Sequence, residues 1–450
     1  MKASTHMNGR FTKALVQTLL LLGLTLLLGV QLSIAWSGYE GQAGVIGIGP
    51  ARLVAAGKSA ALLAATLVMF QLVLSARLKT LDRLFGIHRL LRLHSITGPT
   101  AAALALSHPF LIYGSKVYGG RETLAELWPQ LLGGLILLIL ATSVTTTLGR
   151  RFLELRYEKW KRIHQLAFVA VALLAVHALV LGSDLKSGWP RILFIGLLVG
   201  YAMLFCRAKL IKPVQLRYRP FTVTEVTKLN HDTWNLRLKP PGELFSYLPG
   251  QFAFLALYRQ NEKPKEHPFT ISSAPAEGGY ISFTIKESGD FTNTIGQTKP
   301  GGLARVEAPF GRFSYLKLPA FDRLVMIAGG VGITPMLSCL RHIAKSPFDK
   351  PLTLIWANKT RDDIFLQNEL SEMAAALPNL EVHHVLSRQP DYGGPTGHLT
   401  EDMLRKLIPD LARNTHVMLC GPIPMMKSVR KKLRKIGIPR SRIHTESFSF

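Results

Sequence analysis

The sequence predicts three folds in succession: a six-helix transmembrane bundle over residues 1–212, an antiparallel β-barrel over 213–318, and a doubly wound α/β domain over 319–450. Three observations carry that prediction. Six apolar segments, each near the roughly 20 residues needed to span a bilayer, fill the first half. Short stretches of period two, punctuated by Pro and Gly, follow them. The remainder alternates buried strand-like runs with helical ones around a glycine-rich turn. At 450 residues the chain is too long for one core.

Hydrophobic residues make up 48% of the chain, and the mean hydropathy is +0.21. The formal charge is +26, but it is not one basic face. Residues 1–212 hold 23 Lys and Arg against 7 Asp and Glu, a net of +16; residues 213–450 hold 31 against 21, a net of +10. No basic run is interleaved with aromatic residues, which excludes a nucleic-acid surface. The charge reads instead as membrane topology. Cys206, Cys339 and Cys420 have no paired spacing, which excludes a disulfide framework or a thiolate cluster. Such cysteine usage fits a reducing compartment for the catalytic half.

The apolar segments lie at about 14–35, 53–75, 93–113, 127–149, 163–181 and 189–206. The first follows Lys2, Arg10 and Lys13 and ends near Ser33, Ile34 and Ala35, so a signal peptide is one reading. Its length favours an uncleaved helix. The loop 76–92 carries Arg77, Lys79, Arg83, Arg89 and Arg92. The loop 150–162 carries Arg150, Arg151, Arg156, Lys159, Lys161 and Arg162. The intervening loops are poorer in Lys and Arg, so these two are expected in the cytoplasm. The sixth segment then exits inward at Arg207, Lys209 and Lys212. The expectation is a multi-pass protein of the plasma (inner) membrane with a cytoplasmic catalytic half.

Four histidines stand within these segments: His94 and His108 on one, His164 and His177 on another. Ionisable residues inside a bilayer are costly and mark functional sites. Two pairs on two helices can clamp two haems, each iron held by one imidazole from each helix. Matching depths pair His94 with His164 near the cytoplasmic face and His108 with His177 near the outer face. Fourteen residues rise roughly 21 Å and thirteen roughly 20 Å, room for two stacked macrocycles. The angles agree less well. Fourteen residues return to within about 40° of one face, whereas thirteen place His177 about 140° from His164. A tilt, a local bulge or different rotamers must absorb that. The competing reading is hydrogen bonding between helices; two pairs at matched depth favour metal. His88, in the basic loop, reads as a surface residue.

Beyond residue 214, strands are expected at 221–226, 233–238 and 251–257, separated by Pro240, Pro241, Gly242, Pro249 and Gly250. From Arg323 further strands are expected at 324–328, 352–357, 381–386 and 417–420. Gly329, Gly330, Gly332, Thr334 and Pro335 form a turn into a helix starting near Met336. Such a turn presents backbone N–H groups and a helix N-terminus to phosphate.

These residues also carry a resemblance. Residues 214–450 resemble the ferredoxin–NADP reductase superfamily, and nearly the whole chain resembles the ferric reductase and NADPH oxidase family. Pro249, Gly250, Gln251 and Phe252 look like the strand before the flavin. His267, Pro268, Phe269 and Thr270 match the flavin motif in its oxidase form. The resemblance implies that Phe269 packs on the isoalloxazine and Thr270 hydrogen-bonds near its N5. Lys286, Gly289, Phe291 and Thr292 match the pyrophosphate loop, which favours FAD over FMN. Gly329, Gly330, Gly332, Thr334 and Pro335 match the nicotinamide-nucleotide turn, and Cys420, Gly421 and Pro422 the strand end that positions nicotinamide. Ser387 and Arg388 resemble the 2′-phosphate contact of NADP users, with Lys359 and Arg361 nearby; Phe448 and Phe450 resemble the terminal aromatics that cover the flavin.

The family therefore implies a transmembrane oxidoreductase using NADPH (NADH as the alternative), FAD and two haems b, with Thr270, Cys420 and Phe448 at the reacting centre. The expected partners are the lipid bilayer and a small electron acceptor outside, ferric chelate or dioxygen. Lys116 and Arg121 could draw in anionic chelates. An electron-feeding subunit for another protein, and a reductase tethered by haem-free helices, stay open; the sequence names no protein partner.

Overall fold

The computed structural model describes residues 2–115, 124–150, 152–259, 264–408 and 414–447. The chain divides into two compact units, Met1–Lys212 and Pro213–Phe450.

The first unit is helical: α1 (Lys2–Trp36), α2 (Tyr39–Ile46), α3 (Ile48–Ser75), α4 (Lys79–Phe85), α5 (Ile87–Ser115), α6 (Leu124–Leu148), α7 (Tyr157–Gln165), α8 (Ala167–Leu181) and α9 (Gly188–Phe205). A π-wound stretch, Cys206–Ile211, leads on to α10 (Lys212–Arg217). Five stretches among the described residues are long and apolar enough to cross a membrane: Ala14–Ile46, Ile48–Ser75, Gln130–Leu148, Tyr157–Leu181 and Gly188–Arg217. The sequence led us to expect six. α5, which carries His94 and His108, is absent from that set; its histidine, proline and hydroxyl residues lower its hydropathy. Two prolines, Pro99 and Pro109, lie within it. It also begins earlier than its apolar stretch suggested, because the buried Asp82 carboxylate accepts a hydrogen bond from the Ile87 N–H at 2.8 Å and starts the helix there.

α3 runs through the middle of the core. Leu62, Ala65, Val68 and Met69 pack with Ile34 and Ala35 of α1, Ala101 of α5, Ile136 and Leu140 of α6, Ala170 and Val171 of α8 and Phe194 of α9. Leu26, Leu138 and Ile192 face outward with 63–72% exposure. Such an apolar exterior suits lipid rather than water. Small residues set the spacing: a Cβ on Gly57 would lie 2.8 Å from the Ile112 side chain, so α3 and α5 meet closely there.

The second unit joins two sheets. The first contains β1 (Phe221–Lys228), β2 (Thr233–Lys239), β3 (Phe252–Leu257), β4 (His267–Thr270), β5 (Ile281–Lys286) and β6 (Leu303–Phe310), in the order β4-β3-β6-β1-β2-β5. Its paired strands are antiparallel. Its two edges approach at Ser272, whose N–H donates to the Ser282 carbonyl at 2.8 Å. Alternation fills the interior with Val223, Leu236, Leu238, Leu255, Phe283 and Ile285.

The second sheet is parallel, with β7 (Arg323–Gly329), β8 (Leu352–Asn358), β9 (Leu380–Leu386), β10 (Thr415–Cys420) and β11 (Ile443–Glu446) in the order β11-β10-β7-β8-β9. Counted along the chain from β7, that order is 3-2-1-4-5 from β9, the doubly wound arrangement. α11 (Thr334–Ile343) and α12 (Gln367–Ala376) cover one face; α13 (Glu401–Leu407) and α14 (Ile423–Lys435) cover the other. α11 starts two residues before the expected Met336.

Candidate functional site

The membrane histidines come together in the pairs expected from their depth. The rings of His94 and His164 are 5.9 Å apart, edge to face. His108 and His177 line one cavity of about 570 Å³. Its walls are mostly small or aliphatic, including Ala65, Ala105, Gly134 and Ala178. The cavity is within the size range of sites that hold a flat organic group. Gly133 makes room for the ligand ring, since a Cβ there would stand 2.7 Å from His177 Cε1.

The second nitrogen of each ring matters as much as the first. His94 Nδ1 meets the Gln71 carbonyl at 3.3 Å, His108 Nδ1 the Gly57 carbonyl at 2.9 Å, and His164 Nδ1 the Ser143 hydroxyl at 2.9 Å. With Nδ1 engaged, Nε2 is the nitrogen left for a metal, the usual arrangement of an imidazole ligand. The residues therefore fit two bis-histidine haems.

The angular conflict between His164 and His177 has a local cause. The helix carrying them is broken at Leu166, between α7 and α8, where the Leu166 N–H bonds to the Ile163 carbonyl at 3.0 Å. That tightened turn rotates the chain by about 120° per residue instead of about 100°. Three such residues would close the mismatch from about 140° to about 80°.

In the second unit, β4 presents His267, Pro268, Phe269 and Thr270 opposite β3, with Thr270 paired to Phe252 and Phe269 to Ala253. Gly250, just before β3, has φ +88°, and a Cβ there would lie 2.3 Å from the Phe313 carbonyl oxygen. Only glycine fits that turn. The loop after β5 folds onto this motif: the Phe291 ring stacks on His267 at 4.2 Å and lies 6.1 Å from Phe269. Thr292 closes the loop, donating to the Gly289 carbonyl and accepting from the Ser288 N–H. Arg259 lies over the Phe291 ring at 5.2 Å and bonds the Thr294 carbonyl at 3.1 Å. Lys286, the expected pyrophosphate contact, pairs with Asp232 at 2.7 Å and approaches Asp363 at 3.6 Å. Burial works against the Asp363 carboxylate, but hydrogen bonds from Thr360 and the charge of Lys286 hold its pKa below the usual range.

The nucleotide turn is built by close backbone contact. A Cβ on Gly332 would stand 2.5 Å from the Cys420 carbonyl oxygen, and one on Gly421 about 3.1 Å from Gly329. The turns after β7 and β10 thus touch, forming a crevice at the carboxyl ends of the strands. Thr334 is buried and its hydroxyl donates to the Val331 carbonyl at 3.1 Å; Pro335 opens α11. Cys420 is fully buried beside Glu446. Burial, and then the Glu446 charge, push its thiol pKa well above the usual value, so it stays protonated. Pro422 caps α14. Arg388 is exposed, its N–H held by the Lys359 carbonyl at 2.8 Å, and the Ser387 hydroxyl donates to the Asn358 carbonyl. Phe448, Phe450, Lys116 and Arg121 lie outside the described residues.

Several residues that sequence reasoning missed tie these parts together. Arg341 of α11 donates to the Ser272 carbonyl at 2.8 Å and forms a two-pronged pair with Glu369 at 2.6 and 2.8 Å. Ser338 donates to the Ser273 carbonyl at 2.7 Å. The helix that follows the nucleotide turn thus pins the loop that follows the flavin motif. The Asn358 amide at the end of β8 is buried without a hydrogen-bond partner, a group poised for a ligand. None of these has a periodicity or motif that marks it. Trp160, four residues before His164, was within reach of an i, i+4 argument.

Residues 60–175 match the family described as ferric reductase like transmembrane component, 206–299 an FAD-binding domain and 326–431 an oxidoreductase NAD-binding domain. The chain belongs to the ferric reductase and NADPH oxidase family. It is 32% identical over 235 residues to NADH-cytochrome b5 reductase 1 of Dictyostelium discoideum, covering 51% of this chain and 81% of that protein. It is 31% identical over 232 residues to the glycine betaine monooxygenase reductase subunit of Chromohalobacter salexigens, covering 49% of this chain and 62% of that one. Among solved structures, the cytochrome b5 reductase domain of Ulva prolifera nitrate reductase aligns at 25% identity with a TM-score of 0.47, over 50% of this chain and 96% of that domain. The chain is an NAD(P)H-dependent oxidoreductase, and its membrane domain and FAD/NAD module together support transmembrane electron transfer from a pyridine nucleotide.

Proposed function

We propose that this chain carries electrons from cytoplasmic NADPH, by way of FAD and two bis-histidine haems b, to ferric chelate or dioxygen on the outer side of the plasma (inner) membrane. The observation that carries this reading is the convergence of His94 with His164 and of His108 with His177, with three of the four Nδ1 atoms engaged by described partners. Bound flavin would turn a two-electron donor into single-electron steps, which the haems would conduct.

The chain's own residues do the rest. Gly329, Gly330 and Gly332 leave backbone N–H groups open to the nucleotide phosphates, and Arg388 offers a planar guanidinium to a 2′-phosphate. Phe269 and Thr270 orient the flavin, and the buried Cys420 thiol packs at the nicotinamide without acting as a base. Phe448 would cover the flavin from the C-terminus. His94 with His164 and His108 with His177 would each hold a haem, which would supply one-electron transfer rather than a binding site for the acceptor. An inside-negative potential favours outward electron movement by about 2.3 kcal/mol per charge per 100 mV.

The test is an absorption spectrum of purified protein before and after NADPH. A Soret band, flavin absorption and reduction of both are expected. H108A or H177A should keep flavin reduction and lose reduction of external acceptor; wild-type external activity in those variants would refute the two-haem route. Sensitivity of dye reduction to superoxide dismutase separates dioxygen from ferric chelate.

A further inference from the structure

The partners of the candidate ligands are not equivalent. His94 and His108 meet backbone carbonyls, which can only accept. His164 meets a hydroxyl, the one side-chain partner among the three described Nδ1 contacts. Ser143 is 5% exposed and lies in the last two turns of α6.

The same stretch of α6 holds a second grip on the ring. Trp160 stacks on His164 with ring centres 5.2 Å apart and planes 19° from parallel. Its indole N–H donates to the Thr147 hydroxyl at 3.0 Å, and Thr147 sits one turn after Ser143, bonded to its carbonyl at 2.6 Å. Arg150 lies 5.4 Å from the indole on the same corner. The imidazole is therefore fixed by a hydrogen bond in its plane and an aromatic ring over its face. The hydrogen bond comes from α6, and the aromatic ring comes from α7 and is tied to α6 through Thr147.

We propose that Ser143 and Trp160 are positioning residues that fix the plane and the electron-donating strength of His164, and thereby the reduction potential of the haem held on the His94 side. The inference rests on the haem reading above. A hydroxyl that accepts a hydrogen bond from Nδ1–H makes the imidazole a stronger donor, which would favour ferric iron and lower its potential. Loss of that partner raises it. A single side chain would then tune one step of the electron path.

The experiment is a spectroelectrochemical titration of the full-length purified chain, with low-spin haem resonances recorded by electron paramagnetic resonance. In S143A one of two redox components should move positive by about tenfold in its equilibrium, or about 59 mV for one electron. The other should stay, and S143T should restore the first. W160L should shift the resonance of one haem only, and W160F should retain it. Unmoved potentials and resonances in both S143A and W160L, at full haem content, would overturn this inference alone. A wild-type protein without a Soret band would overturn the haem reading beneath it.

Discussion

Replacing Arg341 should uncouple α11 from the flavin loop. Its side chain is 14% exposed and that of Glu369 28%. Burial alone would lower the guanidinium pKa, but the hydrogen bonds and charge of Glu369 more than reverse this, so Arg341 stays charged at all working pH. R341M strands a largely buried carboxylate and leaves the Ser272 carbonyl without its donor. Stranding one partner of a buried pair costs about 3–5 kcal/mol, and a lost acceptor about 1–3 more. Water reaching Glu369 offsets part of this, leaving an expected loss of about 3 kcal/mol. R341K keeps the charge without the fork and should lose about 1–2 kcal/mol. R341M/E369M removes both charges and should recover most of the loss. Because a chain of several domains does not unfold in two states, the assay is hydrogen exchange of α11 and loop 271–274 amides, which reads local opening. Exchange in R341M within about 0.5 kcal/mol of wild type would refute the coupling, as would a double variant no better than the single one.

G133A would drive a methyl into the His177 ring; haem content, read as the pyridine complex, should fall from two per chain towards one while flavin content holds. R388A should weaken NADPH by about tenfold, the worth of one charge-assisted contact, and leave NADH unchanged; an equal loss for both would remove Arg388 from the 2′-phosphate site. Burial, and after it the stacked His416, hold the His444 pKa down to about 4, against about 6.5 in the unfolded chain. The unfolded state then binds the extra proton between those values, so this contribution is complete above about pH 6.5 and is lost as pH falls towards 4. Allowing for solvent at this partly buried ring, the change should be about 1–2 kcal/mol in the opening of β10 and β11, and H444Q should flatten it.

Much of this arrangement was legible in the residues because its causes are local. Alternation placed β1, β2 and β3, buried runs placed β7 to β10, and glycine spacing placed the nucleotide turn. β4, β5, β6 and β11 were not drawn: three of them are only four to six residues long, and β6 carries Arg305, Glu307 and Pro309, which obscure its periodicity. The helix of His94 and His108 was bounded by its apolar stretch, yet Asp82 starts it well before that stretch. The thirteen-residue step from His164 to His177 looked wrong for one helix, and the tightened turn at Leu166 removes part of that mismatch.

The sequence by itself determined which segments are apolar enough to seek lipid, which turn must be glycine, and which imidazoles are expensive enough in a membrane to require a purpose. Those follow from hydropathy, backbone sterics and the cost of burying polar groups, all properties of a residue and its near neighbours. Only the tertiary structure decided that Ser143 and Trp160 hold His164, that Gly57 and Gln71 serve the other ligands, and that Arg341 ties the nucleotide turn to the flavin loop. Each of these joins residues 21 or more apart in the chain, Trp160 alone excepted. Contacts of that range are selected by packing in three dimensions, and a linear pattern contains no record of them.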